Sequence, residues 1–333
     1  GPGSALYGAN AFVAVINIVT KDADDIGGIK ATAEGGSFDT KRFNVLGGKS
    51  FGEFEISGAV DYLNADGPKL LIDRDRLSAT QPMVTNAPGK TDMNLEKTDI
   101  FLKASYEDFT FKGQYVSKHR GAYIGLNYAL TDENFITYNN FWNELSYNQS
   151  ISDNLSANFK IYFDQFEQDA KVELFPEGYN GTFPDGMIGS PLLKNRTLGT
   201  EIQFEYEISD NNQLIFGGLY ENIRQFDVKH FTNFDPNTGN FLASGFQDIT
   251  SWGNFNKDTR REIWAAFVQD EWEIKDNLNI TAGVRYDHYS DFGDTFNPRV
   301  GVVWGVIENA ELKLLYGQAF RAPNFVELYN TNN

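Results

Sequence analysis

The chain has 333 residues, a formal net charge of −18 and no cysteine. Acidic residues are spread along its whole length with no basic run among them, which excludes nucleic acid as a partner. The missing cysteines remove disulfide frameworks, thiol nucleophiles and thiolate zinc sites together, and no window approaches the ~18 apolar residues of a membrane-spanning helix.

Residues 1–21 stand apart: Gly1-Pro2-Gly3-Ser4 leads through Tyr7-Gly8 into the apolar run Ala11–Val19, closed by Thr20-Lys21. No basic and apolar leader precedes them, which for an exported protein reads as maturation or truncation. From residue 28 onward the pattern has period two, the signature of strands with unlike faces. Runs lie near 28–34, 41–48, 53–62, 97–106, 109–118, 137–148, 155–166, 197–208, 213–224, 262–274, 278–287, 298–306 and 311–320. In 197–208, Leu198, Thr200, Ile202, Phe204, Tyr206 and Ile208 share one parity, and Glu201, Gln203, Glu205 and Glu207 the other. Two runs are ragged: 213–224 mixes its faces, and Phe101 has the wrong parity. Many of the thirteen have the roughly 9–11 residues that cross a bilayer at a tilt.

The connections alternate between short and long. Lys49–Gly52, Glu107-Asp108, Ser150–Asn154, Ser209–Asn212, Lys275–Asn277 and Ile307–Ala310 read as tight turns, whereas Asn64–Leu95, Gly121–Ile136, Lys171–Arg196 and Thr232–Thr259 read as long loops. An up-and-down membrane barrel places its short turns on one rim and its long loops on the other, while a compact soluble domain seldom needs one loop of this length. Phe109, Phe111, Tyr115, Tyr147, Phe159, Trp264, Trp272, Tyr286 and Trp304 fall on the apolar parities, as interfacial girdles require; the other reading of these rings is the core of a soluble β-sandwich. An odd strand count does not close a bacterial barrel, and a free edge in hydrocarbon leaves backbone groups unpaired. The expectation is therefore an all-β chain forming part of a larger transmembrane antiparallel β-barrel.

The opening stretch, with its Gly-Pro, Ser4, Tyr7-Gly8 and Val15-Ile16-Asn17-Ile18 strand ending in Thr20-Lys21, resembles the closing motif of the plug domain in TonB-dependent receptors. Ala14 stands where the family usually has glycine. Phe320-Arg321-Ala322-Pro323, continuing to Glu327-Leu328-Tyr329, is similar to the family's mid-barrel FRAP segment. Val268-Gln269-Asp270-Glu271-Trp272 and Ala282–Asp287 are similar to consecutive strands of such receptors. The resemblance spans the whole chain. It implies a plug end at 1–21 (motif residues Gly1, Pro2, Gly3, Ser4, Tyr7, Gly8 and Asn17), a linker at 22–27 and a partial barrel at 28–333, about 13 of some 22 strands in a plugged transporter.

The implied activity is import across the outer membrane of a Gram-negative bacterium, energised by a TonB–ExbB–ExbD complex pulling on the plug. The implied cargo is first a ferric siderophore or similar small-molecule metal chelate, with cobalamin, haem or oligosaccharide as alternatives. Outer-membrane lipid and lipopolysaccharide are the expected surroundings. No resident cofactor, bound metal or catalytic residue is expected: His119, His230 and His288 lie far apart without ligand spacing, and no GxSxG element occurs. Carboxylates such as Glu201, Glu205, Glu271 and Glu273 suit a hydrated interior, although residue type alone leaves a paired-carboxylate glycosidase open. The residues singled out for cargo are rim aromatics and cations, Arg120, Tyr123, Tyr179, Phe183, Trp252 and Arg321, because ring faces and guanidinium groups suit an anionic aromatic chelate. From a different class, a passive porin or a soluble carbohydrate-binding or hydrolytic β-protein remains; a porin carries no separate plug.

Overall fold

Period-two patterning becomes one continuous antiparallel sheet in a computed structural model, which describes Gly8, Ala9, Ala11, residues 15–132 and residues 134–331. In chain order the elements are α1 (Ala23–Ile26), β1 (Gly28–Gly36), β2 (Thr40–Phe51), β3 (Phe54–Ala65), β4 (Leu71–Ile72), β5 (Gly89–Lys90), β6 (Leu95–Tyr106), β7 (Phe109–Arg120), β8 (Asn134–Ser152), β9 (Leu155–Phe175), β10 (Met187–Ser209), β11 (Asn212–Thr232), β12 (Gln247–Asp248), α2 (Thr250–Gly253), β13 (Thr259–Lys275), β14 (Leu278–Tyr289), β15 (Gly293–Ile307), β16 (Ala310–Gly317) and α3 (Phe325–Tyr329). Each long strand pairs with the next long strand in sequence, while β12 adds to β11 and β4 pairs with β5 apart from the main sheet. This is the wall of an up-and-down barrel with thirteen long strands.

Two-residue turns join β2 to β3, β6 to β7, β8 to β9, β10 to β11, β13 to β14 and β15 to β16. The opposite rim carries the long loops. One of them is shorter than the sequence suggested: β9 runs to Phe175 and β10 starts at Met187, so only 176–186 remain of the expected Lys171–Arg196 loop. Beyond the membrane these strands no longer have one face in lipid, so their alternation lapses and Gly189 and Pro191 read as loop residues.

The apolar parity faces outward. Ile202, Val268, Val300 and Leu314 are exposed there, as a wall in hydrocarbon demands. At the short-turn rim the register brings Phe51, Phe54, Tyr106, Phe109, Tyr147 and Phe159 side by side on six consecutive strands, and the Phe109 and Tyr147 rings stack at 4.5 Å. That unbroken row is an interfacial girdle. Toward the other rim, Tyr220 and Trp264 face each other at 4.3 Å. The two irregularities also resolve. Inside 213–224, Gly217 faces inward against the Phe267 ring, so Ile215, Leu219 and Ile223 meet protein rather than water, and Phe101 is half-buried on the same inner side.

The segment ahead of β1 is not the strand expected for Val15-Ile16-Asn17-Ile18. Residues 15–22 pair with no strand, and Ile16, Ile18 and Val19 are 86%, 80% and 86% exposed. Among the described residues no strand lies beside this run to satisfy its backbone. Gly1, Pro2, Gly3, Ser4 and Tyr7 fall outside the described residues. In the expected linker, α1 lies on the inner face, where a side chain at Gly48 would collide with the Ala23 carbonyl oxygen at 2.9 Å. Ser50 donates to Asp24 at 2.7 Å, and Asp22 pairs with Lys103.

Candidate functional site

The inner wall is polar and laced with ion pairs. Lys160 meets Glu201 at 3.1 Å and Lys112 meets Glu144 at 3.7 Å. Tyr162 on β9 and Glu221 on β11 are separated by Gly199 on β10. A side chain at Gly199 would strike the Tyr162 ring at 2.1 Å; without one, the Tyr162 hydroxyl reaches across a whole strand and donates to Glu221 at 2.6 Å. Nearby, Arg285 and Asp287 form a buried pair at 2.8 Å.

Gly8, the one described residue of the Tyr-Gly motif, is buried against this wall. Its φ is +74°, and a Cβ there would sit 2.9 Å from the Arg285 guanidinium. Gly8→Ala should cost about 1–2 kcal/mol from the left-handed backbone alone and displace Arg285 as well. Thermal unfolding of the detergent-solubilised protein measures this, and an unchanged Tm would show that the contact does not form.

The mouth of the wall is organised by Arg261. Its guanidinium pairs with Asp291 through contacts of 2.8, 3.0 and 2.9 Å and donates to the Pro323 carbonyl at 2.9 Å. It lies 4.8 Å from the Phe292 ring centre, 4.9 Å from that of Phe325 and 5.9 Å from that of Tyr289. Phe320 packs on Tyr289 and Phe292, and Asn256 donates to the Phe325 carbonyl at 3.1 Å. The Phe320–Pro323 segment is thus fastened across the top of β13 and β14.

Above the membrane the long loops share a dry core. Leu77, Ala129, Phe175, Phe183, Met187 and Phe234 are buried together, with Val84, Leu174, Tyr179 and Phe241 packed around them. Gln81 and Asn180 exchange hydrogen bonds of 2.8 and 2.9 Å between two loops. Asp75 accepts from the backbone of Leu77, Ser78 and Leu130 and from the Thr85 hydroxyl, at 2.8–3.0 Å. Burial pushes its carboxyl up, but the donors from Leu130, Thr85 and Ser78 outweigh that and hold it below the usual carboxylate range. An unfolded carboxyl binds protons more readily, so Asp75 stabilises the loops above about pH 4 and this contribution is lost as pH falls through its lower folded value. Protection of the amides across 66–94, corrected for the pH dependence of intrinsic exchange, should fall as pH drops below about 4, while Asp75→Asn should be poorly protected already and show no such fall.

The six rim residues do not converge. Phe183 is 2% exposed inside the loop core, and Tyr179 stacks on Phe175 at 4.0 Å, so both hold loops together. Arg321 is committed to Glu327 through two 2.9 Å contacts, which keep the Glu327 carboxyl below its ordinary value. Arg120 is exposed at the end of β7. Tyr123 is exposed with φ +64° and bridges to Asp92. Trp252 is exposed and borders a cavity of about 590 Å³ together with Lys229, Asn254, Lys257 and Asp258. The histidines are each occupied: His119 with Thr137, His230 with the Gly253 carbonyl and His288 with Asp294. Among the described residues no three His, Asp or Glu side chains group as metal ligands. Sequence reasoning missed Arg261, Asp75 and the Tyr162–Gly199–Glu221 arrangement. The parity of the Arg260-Arg261 doublet, one out and one in, was the available signal for the first.

The site is thus a partial, up-and-down transmembrane wall with Gly8 packed against its inner face. Residues 84–333 match the family model for the TonB dependent receptor-like β-barrel, and the chain belongs to that family. It is 22% identical to the ferrienterobactin receptor of Escherichia coli K12 over 100% of its own length and 47% of the relative's. The chain therefore spans about half the length of that curated relative. Among solved structures it resembles the ferric-catecholate import receptor Fiu of E. coli K12 (open form), with TM-score 0.66, 13% identity and coverage of 97% of this chain and 59% of that one. The copper transporter OprC gives TM-score 0.66, 14% identity and coverage of 100% and 51%. These structural likenesses establish the fold.

Proposed function

We propose that this chain is the closing stretch of a plug (1–21), a linker (22–27) and a part of the barrel (28–333) of an outer-membrane receptor that imports a ferric siderophore, driven through TonB, ExbB and ExbD. The observation that carries the reading is Gly8 seated on Arg285 inside the wall: a passive porin has no separate segment there. A stopper that fills a wide barrel must move before cargo passes, which calls for an energy source outside the barrel. The ferric chelate as cargo rests on the ferrienterobactin receptor and Fiu. Arg120, Tyr123 and Trp252 are the rim residues whose exposure suits contact with an anionic aromatic chelate.

The test is growth of a strain lacking the full-length receptor under iron limitation, with ferric catecholates supplied and the gene restored or withheld. Restored growth and uptake of labelled iron are expected only with the gene and only with energised TonB. Iron uptake independent of the gene would remove iron as the cargo, and gene-dependent copper uptake would replace it.

A further inference from the structure

Three arginines face one another on adjacent strands. Arg196 of β10 pairs in register with Arg224 of β11, and Arg224 pairs with Arg260 of β13. All three share the outward parity of Leu198, Tyr220 and Trp264. Opposed like charges in a sheet are destabilising, and little on the protein relieves them. Arg260 has Glu262 at 3.5 Å, whereas among the described residues no carboxylate lies within ion-pairing distance of Arg196 or Arg224. Neighbouring Lys194 does not add to the row, being matched by Glu167 at 3.3 Å and Asp227 at 3.1 Å. Arg196 lies over the Phe226 ring at 5.5 Å, which holds its planar donors in place. So deliberate a concentration of positive charge, in a chain of net charge −18, calls for an anion to complete it.

The position narrows what that anion is. Arg224 lies four residues beyond Tyr220 toward the long-loop rim, roughly 13 Å along the strand, just past the Tyr220–Trp264 contact that marks the membrane interface. Two strand spacings, roughly 10 Å, separate Arg196 from Arg260, wide enough to hold two phosphate groups in the bidentate manner guanidinium favours. We infer that Arg196, Arg224 and Arg260 form a docking site on the outer wall for the phosphorylated headgroup of an outer-leaflet lipid. This inference rests on the outer-membrane placement proposed above, but not on the identity of the cargo.

The test uses the full-length receptor purified from outer membranes, with lipid retained per receptor counted by native mass spectrometry. The triple variant Arg196→Ala, Arg224→Ala, Arg260→Ala should retain at least tenfold less phosphorylated lipid than the parent, and the triple lysine variant should keep most of it. Nanodiscs carrying the same lipid stripped of its phosphates should not restore binding. Iron uptake, measured in parallel, should be unchanged in the alanine variant, which both proves folding and separates this inference from the import reading. Equal lipid retention by the alanine variant would overturn the site, and so would full displacement of the lipid by millimolar inorganic phosphate, which would mark a free-anion site instead. Absence of iron import by the parent receptor, with lipid retained by the parent and lost from the alanine variant, would leave the site standing and sink the cargo assignment alone.

Discussion

Val268→Arg is expected to destabilise the folded barrel by about 2–4 kcal/mol, the cost of a guanidinium at the bilayer midplane. Val268 lies midway along β13 between Trp264 and Trp272, is 38% exposed, and is flanked in register by Phe216 and Val284. The carboxylate beside it on that face, Asp270, already accepts from Asn212 at 2.9 Å, and the cross-strand neighbours Phe216 and Val284 offer nothing to receive the charge. The matched control is Gln203→Arg on β10, at similar distance from the short-turn rim but on the inner parity beside Glu205. Its change should stay within about 0.5 kcal/mol, as for an ordinary surface replacement. Urea titrations of folding into lipid vesicles measure both. A reversed order of the two costs would mean that the apolar parity faces protein.

Arg261→Ala should cost about 3–5 kcal/mol, the usual penalty for breaking a buried ion pair from one side. The Arg261 and Asp291 side chains are each 7% exposed, so the alanine variant leaves a carboxylate buried without its cation. It also frees the Pro323 carbonyl and removes the plane on which Phe292 and Phe325 pack. Besides a lower Tm, the visible result should be protease cleavage near residues 318–324, where the chain crosses the mouth. Arg261→Met combined with Asp291→Leu should recover part of the loss, because no uncompensated charge remains. If Arg261→Ala leaves both Tm and cleavage unchanged, the guanidinium is not what fastens this segment.

The strands were legible because lipid favours an apolar residue at every second position wherever the wall crosses the membrane, a pattern that outward Asn143 and Asp270 interrupt without hiding. The same preference explains where reading failed. Leu174, Phe175, Met187, Ile188 and Leu193 lie above the membrane, where burial comes from other loops rather than from lipid, so periodicity carried no information about β9 and β10 there. The rim residues failed in a related way. Composition locates aromatic and cationic side chains on long loops, but it does not say whether a ring turns toward cargo or toward its neighbours. Phe183 and Tyr179 turned inward because the loops need a core of their own, while Arg321 found Glu327 six residues on. Asp75 gave no warning, since its partners Thr85 and Leu130 are brought to it only by folding.

The unequal lengths of the strands have a mechanical corollary. β10 has 23 residues and β3 has 12, a difference of roughly 36 Å of extended chain at about 3.3 Å per residue. The outer-membrane face of this wall is therefore a parapet, low over β1–β3 and tall over β8–β11. Any large visitor, whether an antibody, a phage tail or a protease, reaches the crest around 233–258 long before it reaches bilayer, so immunity and digestion should fall first on those residues.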